Sequence, residues 1–336
     1  MRQRITKSVI IIASIFACLA LTVFFLARKD TPERITYGIS YNVPYVMELG
    51  LDRKEVLSAL LHELHVRHIR MSAHWNLIEP ERDLLDFTWM DEDLKAAEEA
   101  EAEVIFGVGR RLPRWPECHV PDWAKALSWE EQKEEIREYI EAVVIRYKDS
   151  PSITYWQVEN EPYLSVFAHE HCGDLDEAFL KEEIALVKQL DPSRPVLVTD
   201  SGNLGTWQGA YERGDAFGTS VYVYFWNPEL GQFKTLLPPW FYRLKEGVVS
   251  LFHGDKETFL IELSLEPWLL EPVANVSVET QYSRMDLAKF DEIIEYARDT
   301  RYERQYLWGG EWWYWLRERG HPDMWERAKL LFQSSG

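Results

Sequence analysis

The chain has 336 residues, with 37 Lys and Arg against 56 Asp and Glu, a formal charge of −19. That acidity disfavours a nucleic-acid or anionic-membrane surface as its main partner, while 46% hydrophobic and 14% aromatic residues exclude a largely disordered chain. Three cysteines exclude a disulfide-dense miniature fold.

Residues 1–7 carry Arg2, Arg4 and Lys7 and no acid, and residues 9–27 are an uncharged run closed by Arg28 and Lys29. About 20 apolar residues cross a bilayer as a helix. The flank before Arg28 offers no small-x-small cleavage site, so the reading is a cytoplasmic basic tail and uncleaved transmembrane signal-anchor over residues 1–29, with a cleaved signal as the alternative. Membrane contact would run through residues 9–27 only. Residues 30–336 would form one exported domain, on the periplasmic or extracellular side. Without residues 1–29 the charge falls to 32 − 56 = −24, so the anchor rather than the domain surface would hold the membrane.

From residue 35 onward, short β-rich runs alternate with charged helical runs. Strands are predicted over 35–41, 68–72, 104–108, 153–158, 195–199, 217–222, 258–263 and 305–308. Helices are predicted over 52–65, 91–102, from Ser128, around 175–190, over 283–300 and over 322–332. Val56, Leu60, Leu61 and Leu64 fall at helical spacing, and Ser128 with Glu131 forms a capping box. Eight strands alternating with helices indicate parallel βαβ units, and the length suits an α/β fold of (β/α)8 barrel type. The rival, a doubly wound sheet, wants a Gly-rich phosphate turn after its first strand, and Ser40-Tyr41-Asn42-Val43-Pro44 has none.

In such a barrel, chemistry sits where strands end. The fourth strand ends Trp156-Gln157-Val158-Glu159-Asn160-Glu161-Pro162, and the seventh ends Ile261-Glu262-Leu263. Two carboxyl groups across a barrel mouth suit glycosidic cleavage: one protonates the leaving oxygen, the other attacks or activates water from the opposite face. Trp and Tyr at the strand ends offer flat apolar platforms to sugar rings.

The Asn160-Glu161-Pro162 motif, with Glu262 ending a later strand, resembles the retaining glycoside hydrolases of clan A, a cellulase-like (β/α)8 group. The resemblance implies a glycosidase, cleaving β-linked glycosides with Glu161 as acid/base and Glu262 as nucleophile. Arg70 would hold Glu262 ionised, Tyr222 would hydrogen-bond it, and Asn160 would bind the sugar 2-hydroxyl. Trp308 or Trp312 would floor the subsite. His74 is a candidate hydroxyl ligand, and Asp200 and Glu311 are further mouth carboxylates that either bind a hydroxyl or cap a helix. Glu266 is the alternative nucleophile. Two departures stand out: Leu263-Ser264-Leu265 where the clan often has Gly, and Ser220 where it often has His. Trp312-Trp313-Tyr314-Trp315, read as a continuing strand, would point its side chains alternately inward and outward.

Cys118 and Cys172 fall in the loops after strands three and four, which adjoin in a barrel, so a disulfide is expected in an oxidising compartment. The competing Cys/His cluster with His119, His169 and His171 matches no structural zinc spacing, and no metal is assigned. No organic cofactor is expected. The expected partner is an oligo- or polysaccharide, with no nucleic acid; oligomeric state is not legible. Alternatives on the same barrel are a non-catalytic carbohydrate-binding envelope protein and a transglycosidase.

Overall fold

Ten strands order the chain in the computed structural model, which describes residues 32–166 and 168–335. They are β1 (Thr36–Ser40), β2 (His68–Ser72), β3 (Glu103–Val108), β4 (Ile153–Val158), β5 (Val196–Asp200), β6 (Ala216–Val221), β7 (Tyr224–Asn227), β8 (Gly231–Lys234), β9 (Thr258–Ser264) and β10 (Arg304–Trp308). Eight of them close a parallel barrel in the order β1-β10-β9-β6-β5-β4-β3-β2. The expected barrel is therefore present, with each expected strand displaced by no more than a residue or two. The expected anchor over residues 1–29, with Cys18, lies outside the described residues. Among those described, no helix is long and apolar enough to cross a membrane.

The strands are rich in β-branched and aromatic residues, and β5 and β6 are buried throughout, as a sheet covered on both faces requires. Ile105, Tyr155, Leu197, Ala216, Phe259, Ile261 and Tyr306, all from barrel strands, form one buried apolar cluster. Arg70, Gln157 and Glu262, also buried, link strands that are not neighbours, so the barrel filling becomes polar there.

The helices begin where capping chemistry starts them. Asp52 accepts from Lys54 N at 2.8 Å and opens Arg53–His62. Ser128 and Glu131 form the reciprocal capping box that opens Trp129–Tyr147, whose Ile136, Tyr139, Ile140, Val143, Val144 and Tyr147 are buried. A cap of this type contributes about 1 kcal/mol.

Several elements depart from the sequence reading. The β7–β8 hairpin is antiparallel and stands apart from the barrel sheet, and the helix Trp240–His253 follows it. The Trp312-Trp313-Tyr314-Trp315 run is not a strand. Gly309, at φ 125°, breaks the chain after β10, and Gly310–Arg317 is a helix with all four aromatic side chains buried. An L side chain rarely tolerates that φ, and a Cβ there would sit 2.9 Å from Leu265 O.

Candidate active site

The end of β4 has an uncommon backbone. Glu159 and Glu161 both have positive φ, at 58° and 44°, which costs a non-glycine residue about 1–3 kcal/mol unless its surroundings hold it. Here they do. Glu159 N donates to Val108 O at 3.0 Å, Asn160 N to Arg111 O at 2.7 Å and Glu161 N to Thr199 Oγ1 at 2.8 Å. The Glu159 carboxylate reaches back to accept from the Arg110 and Arg111 amides at 2.7 and 2.6 Å. Gly109 makes room for it, since a Cβ there would lie 2.4 Å from Glu159 Oε1.

Glu262 is 2% exposed and held by two donors: Arg70 Nη1 at 2.7 Å and Tyr222 Oη at 3.0 Å. The Arg70 guanidinium is fully engaged, giving Nε to Gln157 Oε1 and Nη2 to Asn160 Oδ1, each at 2.7 Å. One buried cation therefore ties the end of β4 to β9. Trp268 closes on Tyr222 edge-on at 5.6 Å.

Glu161 is 6% exposed, and its Oε1 is buried with no hydrogen-bond partner. Burial, then the charges of Glu262 and Glu117, push its carboxyl well above the usual range; a hydrogen bond with Ser220 works the other way. The two acids expected to act together thus share one electrostatic environment, in which Glu262 is hydrogen-bonded by a guanidinium and Glu161 Oε1 has no hydrogen-bond partner. Ser220, at the position where the clan often has His, hydrogen-bonds with Glu161.

The remaining candidates divide. Asn160 is buried in this network and accepts from Arg70. Trp308 is buried at the end of β10 beneath the Arg114 guanidinium, 4.7 Å from its ring. Trp312 cannot floor a subsite: it is fully buried, donating to Gln281 Oε1 at 2.8 Å. His74 is also corrected. It is wholly buried, with Nε2 3.3 Å from Asn42 Nδ2 and its ring against His119, and burial drives its pKa well below normal. Glu266 pairs with Arg114 through both oxygens, one contact at 2.7 Å, whereas Glu262 faces Arg70 and Tyr222. Asp200 accepts from Ser201 N and Trp207 N, both at 2.8 Å, and so shapes its own loop. Glu311 accepts from Asn42 N at 2.6 Å and is pushed up to about 7 by burial.

The sequence reading missed Glu117. It lies in the loop after β3, at φ 69°, with its carboxyl 3.1 Å from Arg111 Nε and hydrogen-bonded to the Asn160 side chain. Burial raises it to about 7, with Glu262 adding to the rise. Its only signal was position, one residue before Cys118; the direction of its side chain depends on loop geometry. Trp115 in the same loop is 61% exposed and meets His171 edge-on at 4.6 Å. Cys118 and Cys172 are joined by a disulfide across a sequence separation of 54. Among the described residues no group of three or more His, Cys, Asp or Glu side chains could hold a metal.

A glycoside hydrolase family 42 model, described as beta-galactosidase, matches residues 54–131 and 126–246. That is more than half of the chain, and it includes Arg70 and Glu161 but ends before Glu262. The chain belongs to this family. Beta-galactosidase BgaH of Haloferax lucentense is 22% identical over 223 residues, 61% of this chain and 30% of the relative. The chain thus spans less than a third of that relative's length. In fold it is similar to the beta-galactosidase of Halorubrum lacusprofundi, at TM-score 0.51 and 15% identity, covering 82% of this chain and 52% of the other. It is also similar to xylanase 10B of Thermotoga maritima, at TM-score 0.53 and 17% identity, covering 82% and 83%.

Proposed function

We propose that this family member is a retaining glycosidase acting on β-linked glycosides, with Glu161 as acid/base and Glu262 as nucleophile. The observation that carries this reading is the unequal setting of two coupled, buried carboxyls. Glu262 is gripped by Arg70 and Tyr222. Glu161 lacks such a partner at Oε1 and is pushed strongly toward its protonated form. Environments that separate two carboxyls in this way mark an acid and a nucleophile.

In the first step, Glu262 attacks the anomeric carbon as Glu161 gives its proton to the glycosidic oxygen. The C–O bond breaks, the alcohol leaves and a glycosyl ester forms on Glu262. In the second step, water attacks that carbon, Glu161 takes a water proton and the ester bond to Glu262 breaks, so the sugar leaves with its original configuration. Arg70 and Tyr222 steady the charge on Glu262 as it returns. Asn160 donates to the sugar 2-hydroxyl, and Trp308 supplies an aromatic surface. The relatives named beta-galactosidase make a β-galactoside the first substrate to try.

Export of the domain behind an N-terminal anchor is part of the same proposal, supported by the uncharged run over residues 9–27 and by the disulfide. The test of mechanism is chemical rescue. Glu262→Ala should lose turnover of an aryl β-glycoside, and azide should restore it as the α-glycosyl azide. Glu161→Ala with azide should give the β-anomer instead. Unimpaired turnover by either variant would refute the assignment.

A further inference from the structure

Glu117 has no part in the double displacement, yet it stands inside the site. Its neighbour Asn160 has its side-chain oxygen occupied, by Arg70 Nη2 at 2.7 Å and Thr199 Oγ1 at 3.3 Å. The other half of that amide is its NH2, a donor, and it is hydrogen-bonded to the Glu117 carboxyl. Arg111 Nε, 3.1 Å away, fixes Glu117 from the side, while Arg111 itself is tied to Leu164 O at 2.8 Å. A donor and an acceptor thus lie next to each other at the point where Asn160 meets a sugar.

A hydroxyl carries one proton to give and lone pairs to accept with. Inserted between the two groups, it accepts from Asn160 Nδ2 and donates to Glu117. A ring carbon bearing only hydrogen offers a partner to neither, so the two groups keep only their bond to each other and the sugar gains no hydrogen bond there, which favours the hydroxylated ring. An acetamido group is bulkier and replaces the hydroxyl's proton donor and acceptor with an amide.

We infer that Glu117 is a specificity-determining residue, accepting the hydrogen bond of the same sugar hydroxyl to which Asn160 donates. In the reading above that hydroxyl is at C2, and the inference rests on that reading. The site accordingly selects β-glycosides with a free 2-hydroxyl over 2-deoxy and 2-acetamido sugars.

The test is a cycle of two enzymes and two substrates. Wild type and Glu117→Gln are compared on 4-nitrophenyl β-D-galactopyranoside and its 2-deoxy analogue, with Glu117→Ala as a second variant and thermal unfolding as the control for folding. The wild type should favour the hydroxylated substrate. Replacing a charged by a neutral acceptor should cut that preference in kcat/KM about tenfold in Glu117→Gln. Turnover of the 2-deoxy substrate should change less than about threefold. Equal losses on both substrates would show a merely structural role and overturn the inference, as would an unchanged preference. If Glu117→Ala does not fold, the Gln variant decides. A wild type that cleaves neither these nor gluco- and manno-configured aryl β-glycosides would instead refute the glycosidase assignment itself, and this inference with it.

Discussion

Arg70 on β2 and Glu262 on β9 meet at 2.7 Å although their strands are not neighbours in the barrel sheet. The bond spans the barrel, and both groups are almost wholly buried. Removing one partner strands the other's charge. Arg70→Met should therefore cost about 3–5 kcal/mol of stability, read by denaturant unfolding. It should also lower kcat on an aryl β-glycoside by about a hundredfold or more. Full activity with unchanged stability would contradict the role given to this pair.

Tyr222 offers a milder probe of the same carboxylate. Tyr222→Phe keeps the ring that packs edge-on against Trp268 and deletes only the 3.0 Å hydrogen bond to Glu262. The expected result is a fall in kcat of about 10–100-fold with KM nearly constant, from a lost interaction of about 1.5–3 kcal/mol. Steady-state kinetics on one substrate suffices to check it.

Glu161 links activity to pH. Burial, Glu262 and Glu117 all push its carboxyl up, so the native state holds a proton that the unfolded chain has released. Stability from this source therefore falls as pH rises from the unfolded value near 4.5 toward the raised native one. Glu161→Gln should unfold at higher temperature than wild type, with an advantage larger at pH 8 than at pH 4. The alkaline limb of kcat/KM should disappear in the same variant, tested on a substrate whose leaving group needs no proton. An advantage that shrank with rising pH would reverse the sign claimed here.

The two tryptophans proposed together for the subsite should separate cleanly. Trp312 is fully buried with its indole N–H on Gln281. Trp312→Ala should cost about 3–5 kcal/mol in stability. Trp308→Ala should chiefly raise KM. Equal effects of both on KM in folded protein would restore Trp312 to the site.

The disulfide allows a stability estimate from its sequence separation of 54. Constraint of the unfolded chain over a loop of that length is worth about 4 kcal/mol. Replacing Cys118 and Cys172 by Ser should lower the unfolding free energy by about that amount under oxidising conditions. The mass of the intact protein should rise by two hydrogen atoms on reduction. Absence of that mass change in exported protein would exclude the bond.

The barrel was legible because alternation of apolar strands with capped helices is a local signal, as at Ser128 and Glu131. The closeness of Glu161 to Glu262 was legible because strand ends of a barrel converge. Other features were not, because they depend on direction rather than order. Trp312 was misplaced because a strand was continued past Gly309, where backbone geometry begins a helix. His74 follows β2 as expected, yet its ring is turned into the interior against His119. Glu117 was passed over because its side-chain direction is set by a loop with left-handed residues at Arg114 and Glu117, which no periodicity reveals.

The Cys118–Cys172 bond has a mechanical corollary. By welding the third and fourth crossovers together, it turns that side of the mouth into a single stiff lip carrying Glu117 and Trp115. On the facing lip Tyr222, Trp268 and the β7–β8 hairpin meet through ring contacts, with no covalent strut between them. The side of the rim that carries Glu117 is thus cross-linked covalently, while the side that carries Tyr222 is joined by non-covalent contacts.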